Sequence, residues 1–110
     1  PDGTLVSPAE IEGALNALSW VGEAAVFAWT DGEGIERVGA AIIALADAPH
    51  EAEHAAMQAV RASHGAHKTP ARVLILDSFP RVARGKPDKA RLRQILRDTT
   101  KGPIDEPVAD

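Results

Sequence analysis

Residues 78–93, which read SFPRVARGKPDKARLR, decide the organisation of the C-terminal half of this 110-residue chain. They place Lys86 between Gly85 and Pro87. Glycine adopts positive φ without steric cost, whereas proline fixes its own φ at about −65° and moves the preceding residue away from helical angles. We therefore predict a tight turn that presents Lys86 on a loop.

A helix should follow this loop directly. Asp88 is a good N-cap, and the residues after it, KARLRQILR, are rich in helix formers. Leu92, Ile95 and Leu96 recur at helical spacing. Beyond Asp98 the chain is polar and interrupted by prolines. We therefore predict one domain over residues 1–98, followed by a flexible tail over residues 99–110.

The residues before the loop carry the signals of further helices and strands. Ser7 is a suitable N-cap, Pro8 suits the first helical position, and Glu10 is placed to complete a capping box. The predicted elements are a helix over 8–18, strands over 21–30 and 38–45 joined as a hairpin, a helix over 51–63 that Gly65 ends, and a buried strand over 72–76. This order predicts an α+β domain, in which a small and mostly antiparallel sheet, a hairpin plus a further strand, is flanked by about three helices.

The net charge of −4 conceals an asymmetry along the chain. Residues 1–80 hold 4 basic and 11 acidic side chains, whereas residues 81–101 hold 8 basic and 2 acidic ones. Positive charge is thus concentrated around Lys86, as suits binding of a phosphate, a nucleotide or a nucleic acid. A solvated cationic helix face is the alternative interpretation of the segment, and an ordinary solvated loop lysine is the alternative for Lys86.

Length and composition limit the possible functions further. A single domain of 110 residues has room for a core but little room for a deep substrate cavity. The chain has no cysteine, which excludes disulfides, thiolate metal sites and a cysteine nucleophile. It has no apolar run near the roughly 20 residues of a membrane span, and no basic-then-apolar leader. We expect a cytoplasmic protein without a membrane span, cut from something longer.

Two segments resemble the C-terminal domain of the adenylate-forming superfamily, which includes acyl-CoA synthetases, adenylation domains of nonribosomal peptide synthetases, and luciferases. Residues 3–12, GTLVSPAEIE, are similar to the segment just after the family's hinge. Residues 79–89, FPRVARGKPDK, are similar to its Pro-Arg-x-x-x-Gly-Lys motif. Residues 21–26 and 68–73 match in the same order between them. The resemblance covers roughly residues 3–97.

This resemblance implies a role for the lysine loop. Enzymes of the superfamily join a carboxylate to ATP, forming an acyl-adenylate and pyrophosphate, and then transfer the acyl group to a thiol. Lys86 matches the lysine that enters the active site for the first step, where a preplaced ammonium stabilises charge on the carboxylate and the α-phosphate. Gly85 and Pro87 would shape its loop, and Arg81 would contribute to the field around the phosphates.

The resemblance implies a second functional surface for the thiol step. The small domain rotates between the two half-reactions and offers a different face in each. Gly3, Thr4 and Leu5 match the face along which the pantetheine arm approaches the adenylate, and glycine there leaves room for a thiol chain. The acceptor would be CoA or the phosphopantetheine of a carrier protein.

The resemblance also implies parts that the 110 residues do not contain. ATP with Mg²⁺, together with a small carboxylic acid, would be bound mainly by a large N-terminal adenylation domain of the same polypeptide, and no motif of that kind occurs here. We therefore expect this fragment to be inactive alone and the complete protein to be an acyl-CoA synthetase. A nonribosomal-peptide-type or free-standing adenylation enzyme that loads a carrier protein is the alternative.

Three other interpretations rest on single features. His50, Glu51 and His54 fit the spacing of zinc proteases, but Pro49 places His50 at a helix start, and no metal site is predicted. A nucleic-acid-binding domain would use the basic segment, although the chain has no tyrosine and no interleaved aromatic residues there, and no nucleic-acid partner is predicted. A domain that kept the fold as a non-catalytic interaction module is the third alternative.

Overall fold

The computed structural model describes the backbone of residues 7–109 and the side chains of residues 7–66 and 68–99. Three helices, three strands and a single 3₁₀ turn at Ala66–Lys68 follow one another in this part of the chain. The elements are α1 (Pro8–Asn16), β1 (Val21–Thr30), β2 (Glu36–Ala44), α2 (Ala52–His64), β3 (Arg72–Leu76) and α3 (Lys89–Ala109). The predicted α+β class is therefore confirmed.

The three strands form one sheet in the order β1-β2-β3. β1 and β2 are an antiparallel hairpin in which Val26 lies opposite Ala40, whereas β3 pairs with β2 in parallel, with Val73 opposite Ala40. A parallel neighbour requires a crossover connection, and α2 supplies it. The sheet is thus mostly antiparallel, as predicted.

Helices cover both faces of the sheet because its strands are apolar on both sides. Successive residues of a strand point to opposite faces, so neighbouring residues of β1 and β2 enter different cores. The first core packs α1 and α2 on one face and includes Ile11, Leu15, Val26, Ala40, Ile42, Ala56, Val60 and Val73. The second core packs α3 on the other face and includes Ala25, Phe27, Trp29, Ala41, Leu74, Phe79, Leu92 and Leu96.

A glutamate from a helix caps a backbone donor on each edge strand. Glu12 of α1 accepts from the N–H of Val26 on β1 over 2.8 Å, and Glu53 of α2 accepts from the N–H of Val73 on β3, also over 2.8 Å. Both carboxylates are also paired with a cation, and these pairs are Glu12 with Lys89 and Glu53 with Arg72. Unpaired N–H groups at a sheet edge can pair with a strand of another chain. By accepting from one such N–H group on each edge strand, these carboxylates disfavour that pairing.

The start of α1 differs from the prediction. Ser7 is extended, with φ −91° and ψ 116°, and its side chain makes no capping bond to the described residues, so the predicted capping box is wrong. The Ser7 carbonyl instead accepts from the N–H of Glu10 over 3.1 Å. The Glu10 carboxylate lies 3.3 Å from the Lys68 ammonium. This ion pair ties α1 to the segment before β3.

The last helix continues beyond the predicted boundary at Asp98, since α3 spans Lys89–Ala109. A flexible tail over residues 99–110 stays a prediction. Within the described residues, no helix combines the length and the apolar character that crossing a membrane requires.

Candidate functional site

The loop between β3 and α3 is a small hydrogen-bonded turn with Lys86 on it. The Val82 N–H donates to the Lys86 carbonyl over 2.9 Å, and the Gly85 N–H donates to the Val82 carbonyl over 2.8 Å. Arg81 and Pro87 face each other as an isolated antiparallel bridge. Gly85 has φ 85°, and a Cβ there would meet no atom within 4 Å. Glycine is therefore required for its backbone angle and not for space.

Both ends of this turn are anchored, one by a buried aromatic residue and the other by the N-cap of α3. Before it, Phe79 is buried in the same core as Leu92 of α3. After it, the Asp88 N–H donates to the Pro80 carbonyl over 2.9 Å, and the Asp88 carboxylate accepts from the Arg91 N–H over 3.1 Å. Asp88 therefore caps α3 as predicted. The loop is held close to the helix at both ends.

The Lys86 side chain is exposed, and no carboxylate or carbonyl of the described residues binds its ammonium. The other two lysines with described side chains differ in this respect, because Lys68 pairs with Glu10 and Lys89 with Glu12. An unpaired ammonium on a turn with fixed backbone is available to an external anion. The turn can present this charge without first breaking an internal ion pair.

Arg81 lies beside the same turn but faces the protein. Its guanidinium forms two hydrogen bonds to the Glu23 carboxylate, of 2.7 and 3.2 Å, and a third of 3.0 Å to the Gly85 carbonyl. The hydrogen bonds from Arg81 hold the pKa of Glu23 below its ordinary value of 4.5, against a smaller upward effect of burial. The same contacts raise the pKa of Arg81. The Arg81 guanidinium also lies 5.8 Å from the centre of the Phe79 ring.

The structure thus brings together Arg81, Gly85, Lys86 and Pro87 of the predicted site. Their catalytic and loop-shaping roles stay predictions. Gly3, Thr4 and Leu5, predicted to line the thiol approach, lie outside the described residues.

Glu23 was not predicted, and it lies 58 residues from its partner in the chain. The one signal that pointed to it is its charge within the otherwise apolar run VGEAAVF of β1. The Glu23 side chain is 37% exposed, so its carboxylate lies at the surface beside buried strand residues, where a cation can pair with it.

The contacts of the basic segment weaken the nucleic-acid interpretation. Several cations of the basic segment are bound internally, since Arg81 and Lys89 pair with Glu23 and Glu12, and Arg93 donates to the Ala28 carbonyl over 2.6 Å. A nucleic-acid backbone would have to compete with these internal contacts.

The two histidines of the zinc-protease spacing do not lie on one helix. His50 precedes α2, which begins at Ala52, so the spacing of His50 and His54 is not that of two residues on one helix face. Among the described residues, no three histidine, aspartate or glutamate side chains are grouped so that they could hold a metal ion.

The fold and the loop together define a three-layer α+β domain that presents an unpaired lysine from a hydrogen-bonded turn. The sequence model of the family described as "AMP-binding enzyme C-terminal domain" matches residues 10–86, and its match ends at this lysine. The chain belongs to this family. The resemblance to adenylate-forming enzymes is therefore confirmed.

Curated relatives support this assignment. A 3-hydroxybenzoate–CoA/4-hydroxybenzoate–CoA ligase from Thauera aromatica is 32% identical over 99 residues, which cover 88% of this chain and 19% of the ligase. A 3-hydroxybenzoate–CoA ligase from an Aromatoleum strain is 31% identical, and the match covers 86% of this chain and 18% of that protein. This chain therefore spans about a fifth of the length of these relatives.

Solved structures show the same fold. ATP-bound MatB from Rhodopseudomonas palustris is 28% identical with a TM-score of 0.74, and the match covers 86% of this chain and 18% of MatB. The amide bond synthetase McbA from Marinactinospora thermotolerans is 31% identical with a TM-score of 0.71, covering 81% of this chain and 18% of McbA. Each of these proteins is several times longer than this chain.

Proposed function

We propose that this chain is the mobile C-terminal domain of an acyl-CoA synthetase, which activates a small carboxylic acid with ATP and transfers the acyl group to CoA. The observation that carries the proposal is the unpaired, exposed ammonium of Lys86 on a turn whose backbone is held by hydrogen bonds. Membership of the AMP-binding enzyme family and the similarity to CoA ligases support it.

The chemistry of Lys86 follows from its charge and its position. When a carboxylate oxygen attacks the α-phosphorus of ATP, the bond from that phosphorus to the β-phosphate oxygen breaks and pyrophosphate leaves. Two anionic groups approach each other in this step, and negative charge accumulates on the phosphoryl oxygens. A preplaced ammonium stabilises that charge without reorganisation at the moment of reaction. Lysine supplies this as a compact point charge. Lys86 suits this role because its ammonium has no internal partner among the described residues.

The remaining substrates would be bound outside this domain. We propose that an N-terminal adenylation domain of the same polypeptide binds Mg²⁺ and most of the nucleotide, because this chain spans only about a fifth of the length of the CoA ligases it resembles. We propose that Gly3, Thr4 and Leu5 line the approach of the CoA pantetheine arm. Phosphopantetheine on a carrier protein is the second thiol acceptor to be tested. We expect the complete enzyme to act in the cytoplasm, and the 110-residue chain to be inactive alone.

The test uses the complete polypeptide that carries this domain. ATP–pyrophosphate exchange measures adenylation, and release of thioester from supplied acyl-adenylate measures transfer to CoA. Lys86→Ala should lower the exchange rate by on the order of 100-fold or more, since a preorganised charge is removed, and should largely spare transfer. Equal loss of both half-reactions would contradict the proposed role of Lys86.

Arg84→Ala is the matched control, because Arg84 is an exposed cation of the same turn. It should leave both half-reactions close to those of the wild type. The assay should begin with 3-hydroxybenzoate and 4-hydroxybenzoate, the acids in the names of the curated relatives. An amine acceptor should be included because McbA is an amide bond synthetase. If the complete polypeptide contains no nucleotide-binding domain, the interaction-module interpretation replaces this proposal.

A further inference from the structure

Arg81 connects the Lys86 turn to the sheet through three hydrogen bonds. Nη2 donates to Glu23 Oε1 over 2.7 Å, and Nη1 donates both to Glu23 Oε2 over 3.2 Å and to the Gly85 carbonyl over 3.0 Å. Glu23 belongs to β1, which is held in the sheet by the hairpin. One guanidinium therefore joins the edge strand β1, next to the register irregularity between Val21 and Glu23, to the residue that immediately precedes Lys86.

The Gly85 carbonyl is an effective place to hold the turn. This oxygen belongs to the peptide unit that joins Gly85 to Lys86, and the next carbonyl, that of Lys86, accepts from the Val82 N–H over 2.9 Å. The peptide units on both sides of the Lys86 Cα are thus fixed by hydrogen bonds. Because these two units set the direction of the Cα–Cβ bond, they determine where the lysine side chain starts.

Glycine at position 85 increases the need for this restraint. Gly85 has φ 85°, and a Cβ built on it would meet no atom within 4 Å. Packing around this residue therefore does not hold its backbone. Glycine samples positive and negative φ about equally, so the turn depends on its hydrogen bonds for a single conformation. The bond from Arg81, at the base of the turn, supplies one of them, and Glu23 holds this guanidinium from the sheet.

The contacts of Arg81 argue against a role as a phosphate ligand. Its charge is already matched by Glu23, and the hydrogen bonds between them use both terminal nitrogens of the guanidinium. A phosphate would have to use the two N–H groups that these three bonds leave, on a guanidinium whose charge Glu23 already balances. The Lys86 ammonium has no such internal partner among the described residues and is the better anion ligand of the two.

We infer that Glu23 and Arg81 are positioning residues for Lys86, and that Arg81 acts through the Gly85 carbonyl. The inference rests on the proposed function for its kinetic consequences, but its structural consequence is independent of it. Arginine is needed because its planar fork can satisfy a carboxylate and a carbonyl at once, whereas a lysine ammonium offers no such fixed geometry.

The first experiment substitutes Arg81→Lys in the complete polypeptide, which keeps the positive charge and removes the fork. We expect kcat of adenylation to fall by about 10- to 100-fold, as for misplacement of a catalytic group by about 1 Å. The KM for ATP and the transfer of supplied acyl-adenylate to CoA should change little. A normal kcat, or a loss confined to the KM for ATP, would overturn the inference in favour of a phosphate-binding role.

Two further variants separate the carbonyl contact from the ion pair. Exchanging the charges with Glu23→Arg and Arg81→Glu restores an ion pair, but the carboxylate at position 81 has no proton to donate to the Gly85 carbonyl. The double variant should remain impaired, and full recovery of kcat would overturn the inference. Glu23→Gln should be milder, because its amide oxygen still accepts from Arg81. Arg37→Lys is the control, since Arg37 of β2 pairs over 2.6 Å with Asp31 of the β1–β2 loop and does not contact the Lys86 turn.

Hydrogen–deuterium exchange of the complete polypeptide tests the positioning without using activity. In Arg81→Lys, the amides of Val82 and Gly85 should exchange about tenfold faster or more, as expected when a local restraint is lost, while core strand peptides exchange normally. Unchanged exchange at the turn would overturn the inference even if the wild type showed no adenylation. If the wild type does show adenylation that Lys86→Ala abolishes, while Arg81→Lys leaves kcat and exchange intact, the inference fails and the proposed function stands.

Discussion

Gly39 of β2 lies directly against Leu96 of α3. A Cβ at position 39 would lie 2.8 Å from Leu96 Cδ2, 2.8 Å from Trp29 Cδ1 and 2.9 Å from Phe27 Cε1. The sheet and the last helix therefore approach so closely that only glycine fits between them. Since α3 begins three residues after Lys86, this packing also supports the functional loop.

Gly39→Ala should consequently destabilise the chain. The methyl group must displace two aromatic rings and a leucine, and overpacking of this kind costs about 1–3 kcal/mol. The free energy of unfolding of the 110-residue chain, measured with denaturant, should fall by that amount. Gly13→Ala is the control, because a Cβ on this residue of α1 meets nothing within 4 Å. It should stabilise the chain by about 0.5–1 kcal/mol through helix propensity. A neutral Gly39→Ala would show that α3 can move away without cost.

Gly85 and Gly34 form a matched pair for testing the turn. Both have positive φ, 85° and 81°, and a Cβ on either would meet nothing within 4 Å. Substitution by alanine should therefore cost about 1–2 kcal/mol of stability at each position through left-handed backbone strain alone. Only Gly85→Ala should also lower ATP–pyrophosphate exchange in the complete polypeptide, because Gly34 lies in the β1–β2 loop. Equal exchange rates in the two variants would argue that the conformation at position 85 is irrelevant to Lys86.

Glu12 connects three elements through one carboxylate oxygen. Oε2 accepts from the Val26 N–H of β1 over 2.8 Å and from Lys89 Nζ of α3 over 3.0 Å. Glu12→Ala leaves a part-buried N–H without an acceptor and should cost about 1–3 kcal/mol. Glu12→Gln keeps an acceptor and loses only a partly exposed ion pair, so it should cost about 1 kcal/mol or less. Denaturant unfolding of both variants measures the difference, and an equal cost would assign the effect to the ion pair.

The strands and the lysine turn could be predicted from local sequence. β1 and β3 have the predicted bounds, and α2 differs by one residue at each end, because apolar runs and Gly65 mark these elements within a few residues of themselves. The Gly85–Pro87 turn follows from the backbone preferences of its own residues. These are effects of short range.

The missed features depend on contacts between distant residues. The Glu10 carboxylate, predicted to bond back to Ser7, pairs with Lys68, a residue 58 positions away, and the Arg81 contact to Glu23 spans the same separation. Neither partner can be chosen before the topology is known. The parallel pairing of β3 with β2 is of the same kind, since the composition of β3 fits either edge of the hairpin.

The ion pair of Glu23 and Arg81 should make stability depend on pH in a defined direction. Arg81 is the charged group that faces Glu23 among the described residues, and its hydrogen bonds lower the pKa of Glu23 below its ordinary value of 4.5. The unfolded chain therefore binds a proton at higher pH than the folded chain does. The resulting stabilisation is fully present above pH 4.5 and is lost as the pH falls through the lowered pKa.

Titration of the Glu23 carboxyl by NMR should show the lowered pKa in the wild type and a return towards 4.5 in Arg81→Ala. The unfolding free energies of the wild type and Glu23→Gln should converge as acid is added. A Glu23 pKa that does not respond to removal of Arg81 would mean that the two side chains are not paired in solution, and the proposed restraint on the Lys86 turn would lose its anchor on the sheet.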